Sequence, residues 1–291
     1  MEQQWTTVVH AVGKRPRIDF KGLLKCKDLI LLWVRRNFVA QYKQTVLGPA
    51  WAIIQPFFTT VVYSVFFGDI AGLGVDNVPN FIFYLSGTIM WSLFSHNLTK
   101  AAGTFSGNAG IMGKVYFPRL VMPIASAISQ FISFFIQFGF MLIFFVYYLI
   151  TDAGLAPNLY ILMTPVLLVQ TALLGMGFGL IISSLTTKYR DLNMVVGFGV
   201  SLWSYCSPVA YDMFSRSTLV ENYYALYMLN PMTPIINMFR HAYLGIGGAE
   251  ALGIPPVDWL YYGISWIVTV AVAALGMMMF SKVEKTFMDT I

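Results

Sequence analysis

Residues 107–119, GNAGIMGKVYFPR, contain the glycines and the lysine from which a phosphate-binding loop is built. Such a loop needs four residues between its glycines and then Gly-Lys-Ser/Thr, because backbone N–H groups bind phosphate and the hydroxyl holds magnesium. Here five residues separate Gly107 from Gly113, and Val115 stands in the place of the hydroxyl. The stretch therefore predicts no nucleotide site, and its role depends on where it lies in the protein.

Two apolar segments combine aromatic rings with hydrogen-bonding groups. The first set recurs every four residues and so shares one helix face: Trp51, Gln55, Thr59 and Tyr63. The second set lies later in the chain: Ser204, Tyr205 and Ser207. Such faces fit a conduit for sugar rings, and they equally fit helix packing in which polar groups hold neighbouring helices together. The residues alone leave both interpretations open.

Catalytic chemistry has no comparable support in the sequence. His10, His96 and His241 are scattered, and no serine stands with a plausible histidine base. Cys26 and Cys206 have no metal-ligand neighbours. We therefore predict no catalytic residue, no metal site and no cofactor in this chain.

The composition indicates a membrane protein. The 291 residues are 57% apolar and 11% charged, with a mean hydropathy of +0.68. Crossing a hydrocarbon core of about 30 Å takes about 20 helical residues. Six uncharged segments are long enough: 44–68, 78–99, 120–151, 153–187, 192–211 and 259–281. We predict an all-α integral membrane protein, with an N-terminal segment (1–43) and a six-helix transmembrane domain (44–291).

One further uncharged segment, 222–239, contains Asn230-Pro231 and Pro234, which interrupt helical hydrogen bonding. We predict two short helices there, between the fifth and sixth spans, that dip into or lie on the outer face.

In the fourth span, small residues recur every four positions and predict close helix packing: Thr171, Gly175, Gly179 and Ser183.

The basic residues orient these helices. With six spans, 16 of the 18 Lys and Arg residues fall on one side, the exceptions being Arg216 and Arg240. The positive-inside rule makes that side cytoplasmic. Both termini and the connection 100–119 are therefore predicted to be cytoplasmic. The basic balance reports orientation in a membrane and does not indicate a nucleic-acid partner.

Residues 20–42 place apolar side chains at helical spacing, with lysines and arginines between them. This pattern predicts an amphipathic helix in the cytoplasmic interface, its cations near anionic headgroups. An ordinary soluble amphipathic helix is the alternative.

No Asp, Glu, Lys or Arg lies deep in any span, although ion-coupled carriers normally use such groups. The chain thus shows no means of drawing on an ion gradient.

Several segments together resemble the permease subunits of type-2 ABC exporters that move lipid-linked polysaccharides such as O-antigen, capsule or teichoic acid. They lie in that family's order: RRNFVAQYKQTVLGPAWAIIQP (35–56), NAGIMGKVYFPR (108–119), KYRDL (188–192), SPVAY (207–211) and LNPMTPIINMFRHAYLG (229–245). The resemblance implies a bacterial inner-membrane homodimer, with the first and fifth spans around a shared channel for an undecaprenyl-linked glycan. It also implies two copies of a separate ATPase subunit, which would bind ATP and magnesium.

By the same resemblance, the connection 100–119 forms a coupling helix that contacts the ATPase. The residues expected at that contact are Asn108, Ile111, Met112, Lys114, Tyr116 and Arg119. An external gate region (212–258) would be centred on Asn230, Pro231 and Arg240.

Two alternatives to a polysaccharide exporter remain. One is a type-2 permease for another amphiphile, such as a teichoic acid precursor, capsule, drug or lipid; the other is a membrane-embedded transferase, for which no catalytic pair is found.

Overall fold

The computed structural model describes residues 20–43, 45–75, 78–112, 117–187, 189, 191–212, 214, 217–248 and 254–287. These residues form helices joined by turns, which confirms the all-α prediction. Along the described chain the helices are α1 (Phe20–Lys25), α2 (Lys27–Tyr42), α3 (Trp51–Val62), α4 (Asn80–Ala102), α5 (Thr104–Met112), α6 (Val121–Ile150), α7 (Thr164–Thr186), α8 (Leu192–Tyr205), α9 (Ser217–Met228), α10 (Met232–Leu244) and α11 (Trp259–Phe287).

Four helical segments are long and apolar enough to cross a membrane. They are Gly48–Ile70, Val121–Ile150, Leu159–Thr186 and Trp259–Val283. These correspond to the first, third, fourth and sixth predicted spans. The segment Gly48–Ile70 contains α3, which a π-helical segment (Tyr63–Ile70) continues. The segment Leu159–Thr186 begins with a 3-10 turn (Leu159–Met163) before α7.

The other two predicted spans correspond to α4, of 23 residues, and α8, of 14. Polar residues of α4 lie in the interior: Ser86, Thr88 and Asn97 are each at most 5% exposed. Ser86 and Asn97 donate hydrogen bonds to carbonyls of their own helix at 2.7 and 2.8 Å. Because α4 is surrounded by α3, α6, α7 and α10, it needs less apolar surface than a helix that faces lipid.

The described part of the N-terminal segment, residues 20–43, forms two helices divided by a turn at Cys26, where the sequence pattern predicts one. Helix α2 packs against α6, and the Tyr42 hydroxyl lies 3.2 Å from Ser133 Oγ. Leu31 and Leu32 are 69% and 63% exposed. The buried side chains join an apolar cluster, which we call the inner core: Leu23, Trp33, Val34, Phe105, Leu120, Val121, Met122, Ala125, Leu180 and Phe280.

Helices α9 and α10 are separated at Asn230-Pro231. Pro234 lies in the first turn of α10. Backbone N–H groups in a first turn have no acceptor within the helix, so the lack of an N–H in proline costs no helical hydrogen bond there. Nearly every residue of α10 is buried, against α4, α7, α11 and the 159–163 turn. This helix therefore lies inside the bundle, although it is too short to cross a membrane.

Helix α7 is held between α4 and α11 by glycines on both sides. A Cβ at Gly175 would lie 2.6 Å from the Phe94 carbonyl oxygen, and one at Gly179 would lie 2.5 Å from that of Leu98. On the opposite side, a Cβ at Gly177 would lie 2.9 Å from Ala273 Cα. The predicted small-residue ridge of the fourth span is thus confirmed as a site of close backbone approach.

Because backbone atoms cannot move aside, we expect Gly179→Ala to lower the free energy of unfolding by about 1–3 kcal/mol through overpacking. Gly139→Ala is the matched control, since Gly139 is a helical glycine with open space at its Cβ position. That variant should be neutral or more stable by up to about 1 kcal/mol. Thermal unfolding of the purified variants in detergent measures both, and equal midpoints would contradict the packing assignment.

Candidate functional site

The predicted face of α3 runs from open surface into a cluster of rings. Trp51 is 50% exposed and Gln55 is exposed, whereas Thr59 and Tyr63 are half-buried. At Tyr63 the helix widens into its π-helical segment. Such segments are rare and frequently occur at functional sites.

Tyr63 of this face and Tyr205, which is 57% exposed at the end of α8, lie within electrostatic range of each other. The Tyr63 ring also packs edge-on against Tyr84, at 6.2 Å between centroids, and Tyr84 packs against Phe83 at 5.1 Å. Tyr63 and Tyr205 are far apart in sequence and are predicted to share one path, and the fold brings them within this range.

The two predicted serines of this group are buried and engaged in local hydrogen bonds. Ser204 donates to the Ser201 carbonyl at 2.6 Å. Ser207 donates to the Trp203 carbonyl at 3.1 Å and accepts from Asn230 Nδ2 at 2.8 Å. Their hydroxyls hold the end of α8 in place, whereas Tyr205 presents its ring outward.

Asn230 joins the end of α8 to the start of α10. Its Oδ1 accepts hydrogen bonds from the Trp203 indole and the Met232 N–H, both at 3.2 Å. Its Nδ2 donates to the Cys206 carbonyl at 3.1 Å as well as to Ser207. The Asn230 amide oxygen thus bonds both α8 and α10, and its amide nitrogen bonds the segment that follows α8.

Pro231 extends this network to two long helices. Its carbonyl accepts from Ser265 of α11 at 2.7 Å, and Ser265 in turn accepts from Gln170 of α7 at 2.9 Å. Ser265 and Gln170 are at most 2% exposed. Hydrogen bonds buried in this way fix the position of the break more firmly than exposed ones do.

Arg240, on α10, is 3% exposed. Its guanidinium donates to the carbonyls of Pro208, Val209 at 3.1 Å and Phe83 at 3.3 Å. Burial lowers the pKa of Arg240 to about 10, with Asp212 the largest opposing influence. The side chain is therefore a buried cation at neutral pH, and its partners include backbone oxygens of two other segments.

The predicted coupling residues are described only in part. Ile111 and Met112 end α5, Asn108 donates to the Thr104 carbonyl at 3.0 Å, and Arg119 is buried in the turn before α6. Lys114 and Tyr116 lie outside the described residues.

The residue that anchors α5 was not among those predicted from the sequence. Phe105 is 2% exposed and stacks on Phe280 of α11, with 4.5 Å between ring centroids and 20° between planes. Both rings belong to the inner core, which also contains residues of α1, α2, α6 and α7. A lone phenylalanine in a short helix gives no signal of a partner 175 positions away, so only the structure could reveal this pair.

Within the described residues, no three His, Cys, Asp or Glu side chains lie close enough together to hold a metal ion. The buried polar side chains described above, such as Gln170, Ser207 and Ser265, form hydrogen bonds between helices and the segments that join them.

Long apolar helices around buried polar contacts define a multi-pass helical membrane protein. The model of the ABC-2 type transporter family matches residues 28–244, about three quarters of the chain, and the chain belongs to this family. The match begins in α2 and ends at the last residue of α10.

Curated relatives are similar over most of their length. The O-antigen export system permease protein RfbA of Klebsiella pneumoniae is 22% identical over 265 residues, covering 91% of this chain and 95% of the relative. A protein of the same description from Myxococcus xanthus is 24% identical over 222 residues, covering 76% and 82%.

The Asn230 junction gives a stability prediction. In Asn230→Asp, a carboxylate oxygen would replace Nδ2 and face the Cys206 carbonyl oxygen, so we expect a loss of about 3 kcal/mol in unfolding free energy. In the control Asn37→Asp, a single 3.4 Å bond to Ser129 is affected, and the loss should be under about 1 kcal/mol. Thermal unfolding in detergent tests this, and similar losses for both variants would contradict the assigned role of Asn230.

Proposed function

We propose that this chain is the membrane-spanning permease subunit of an ATP-driven exporter. Its substrate is an undecaprenyl-linked polysaccharide, O-antigen, which it moves across the bacterial inner membrane. The observation that carries the proposal is similarity to an O-antigen export permease along 91% of the chain. Membership of the ABC-2 type transporter family supports the same conclusion independently.

The substrate path runs along the faces of α3 and α8 that carry Trp51, Gln55, Tyr63 and Tyr205. A hydrated polymer needs a surface that contacts sugar rings without trapping them. Aromatic faces supply apolar contact, while nearby amide and hydroxyl groups replace part of the water. The proximity of Tyr63 to Tyr205 supports a path bounded by both helices.

Two copies of the chain enclose the path. In a single chain both helices leave large apolar side chains uncovered, such as Phe58 and Phe66 of the first span and Phe198 of α8, each at least 58% exposed. A homodimer in which α3 and α8 meet their counterparts would cover part of this surface and complete the channel. Six spans with both termini cytoplasmic fit the 16 basic residues on one side.

Energy comes from a separate ATPase subunit, present in two copies, that binds ATP and magnesium and docks on α5. Gly107 and Gly110 are exposed in this helix, with open space at both Cβ positions. An interior helical glycine costs about 0.5–1 kcal/mol relative to alanine, and packing among the described residues does not require glycine at either position. Close approach of a second protein to this face accounts for both glycines.

The tyrosine path is tested in cells whose wild-type gene is depleted. Tyr63→Ala and Tyr205→Ala should reduce surface O-antigen and cause undecaprenyl-linked glycan to accumulate inside, because the sugar-contacting rings are lost. Both pools are measured, together with the amount of assembled complex. Normal export by both variants would remove these residues from the path.

Tyr147→Ala is the control for this experiment. Tyr147 is 60% exposed on α6, and its loss should leave both glycan pools unchanged. If depletion of the wild-type protein itself caused no accumulation of lipid-linked glycan, the proposed function would be wrong.

The docking surface is tested by Gly107→Ala with Gly110→Ala. The double variant should be as stable as the parent or more so, by up to about 1 kcal/mol per site. Its affinity for the ATPase should fall about tenfold or more, corresponding to a loss of at least about 1.4 kcal/mol, because two methyl groups separate the surfaces.

Co-purification of the ATPase and glycan-dependent ATP hydrolysis measure this effect, and the permease alone should hydrolyse no ATP. Gly263→Ala, at an exposed glycine of α11 with open space around it, should change neither property. Unaltered assembly of the Gly107/Gly110 variant would place the docking surface elsewhere.

A further inference from the structure

Helix α8 makes few contacts along most of its length. It packs against α4 and α7, yet Met194 is 86% exposed and Phe198 is 65% exposed. Its principal inward side chain is Trp203, which meets Phe94 and Phe178 edge-on at 5.0 Å. The position of its last turn, which carries Tyr205, therefore depends on what holds its outer end.

Arg240 provides that hold. A buried backbone carbonyl outside a helix needs a hydrogen-bond donor, and a cation can supply it. The chain leaving α8 presents the Pro208 and Val209 carbonyls to the guanidinium of Arg240. The bonds come from two nitrogens of a planar group, so they fix direction as well as distance.

The same guanidinium contacts the opposite side of the proposed path. One of its nitrogens donates to the Phe83 carbonyl of α4, and its central carbon lies 3.8 Å from the centroid of the Phe83 ring. Tyr84, the next residue, packs against Tyr63. Arg240 thus links the segment that carries Tyr205 to the helix that supports Tyr63.

The space for this arrangement depends on Gly87. A Cβ at this position would lie 2.5 Å from Arg240 Nη2 and 3.2 Å from the Val209 carbonyl oxygen. A single methyl group would therefore displace the guanidinium or the end of α8. Glycine inside a long buried helix otherwise weakens that helix, so its presence here has a specific packing reason.

We propose that Arg240 is the positioning residue of the glycan path, fixing the outer end of α8 against α10 and α4 and so setting how Tyr205 faces Tyr63. This assignment rests on the proposed export function. It predicts that substitutions at positions 87 and 240 have non-additive effects on glycan export. These effects should remain when export is corrected for the amount of folded, assembled complex.

A double-mutant cycle tests this unit with Gly87→Ala, Arg240→Lys and their combination. Lysine keeps the charge but lacks the planar fork, so it cannot hold α8 and α4 together in the same geometry. We expect glycan export per assembled complex to fall roughly tenfold or more in each single variant, as for loss of a hydrogen bond to a charged group. The combination should be no worse than either one, because lysine has no Nη2 for the new methyl group to meet.

Export normalised to assembled complex separates positioning from simple loss of protein. Gly139→Ala, which adds a methyl group to a helix where space is open, should export normally. Losses that multiply in the double variant would overturn the proposal, as would normal export per complex by Gly87→Ala, even if Arg240→Lys failed to assemble.

Thermal unfolding of the same purified variants separates this proposal from the proposed function. The destabilisation caused by Gly87→Ala should be smaller with lysine at position 240 than with arginine. If the wild-type complex exported no glycan, the export function would fail while this stability cycle still reported on the contact. Additive destabilisation would show that the two residues do not act together.

Discussion

Backbone contact among α4, α7 and α11 is the constraint on which the rest of the bundle depends. Gly175 and Gly179 bring one side of α7 against α4, and Gly177 brings the other side against α11. Helices at this distance leave no room for side chains to rearrange, so the three form a single rigid unit. The remaining helices attach to its outside. In the proposed exporter, a path bounded by α3 and α8 would change width through these attached helices.

The polar and aromatic contacts lie at the two ends of this rigid unit. At one end, the stack of Phe105 on Phe280 ties α5 to α11. At the other end, Arg240 ties α10 and the segment that follows α8 to the Phe83 carbonyl of α4. In the proposed exporter, a displacement of α5 by the ATPase would enter the unit at one end and reach the substrate path at the other.

Some of this organisation could be predicted from the sequence, because certain patterns express a physical requirement directly. The small-residue spacing around Gly175 is one, since only close helices need it. Burial of α4 could not be predicted, because hydropathy measures apolarity and does not say which helix has protein on every side. The grouping of Ser207 with Ser204 and Tyr205 in the sequence could not show that its hydroxyl accepts a hydrogen bond from Asn230. The acceptors of Arg240 are backbone carbonyls, which every residue possesses and which leave no mark in a sequence.

The shared space of Gly87 and Arg240 also bears on how such a protein can diverge. While arginine occupies position 240, selection acts against any side chain at position 87. A lineage that first exchanged the arginine for a smaller residue would be released from that restriction, and an alanine could then become fixed at position 87. Restoring the arginine would afterwards be harmful until the alanine had reverted. Changes at these two sites are therefore expected to occur in a set order and to be difficult to reverse.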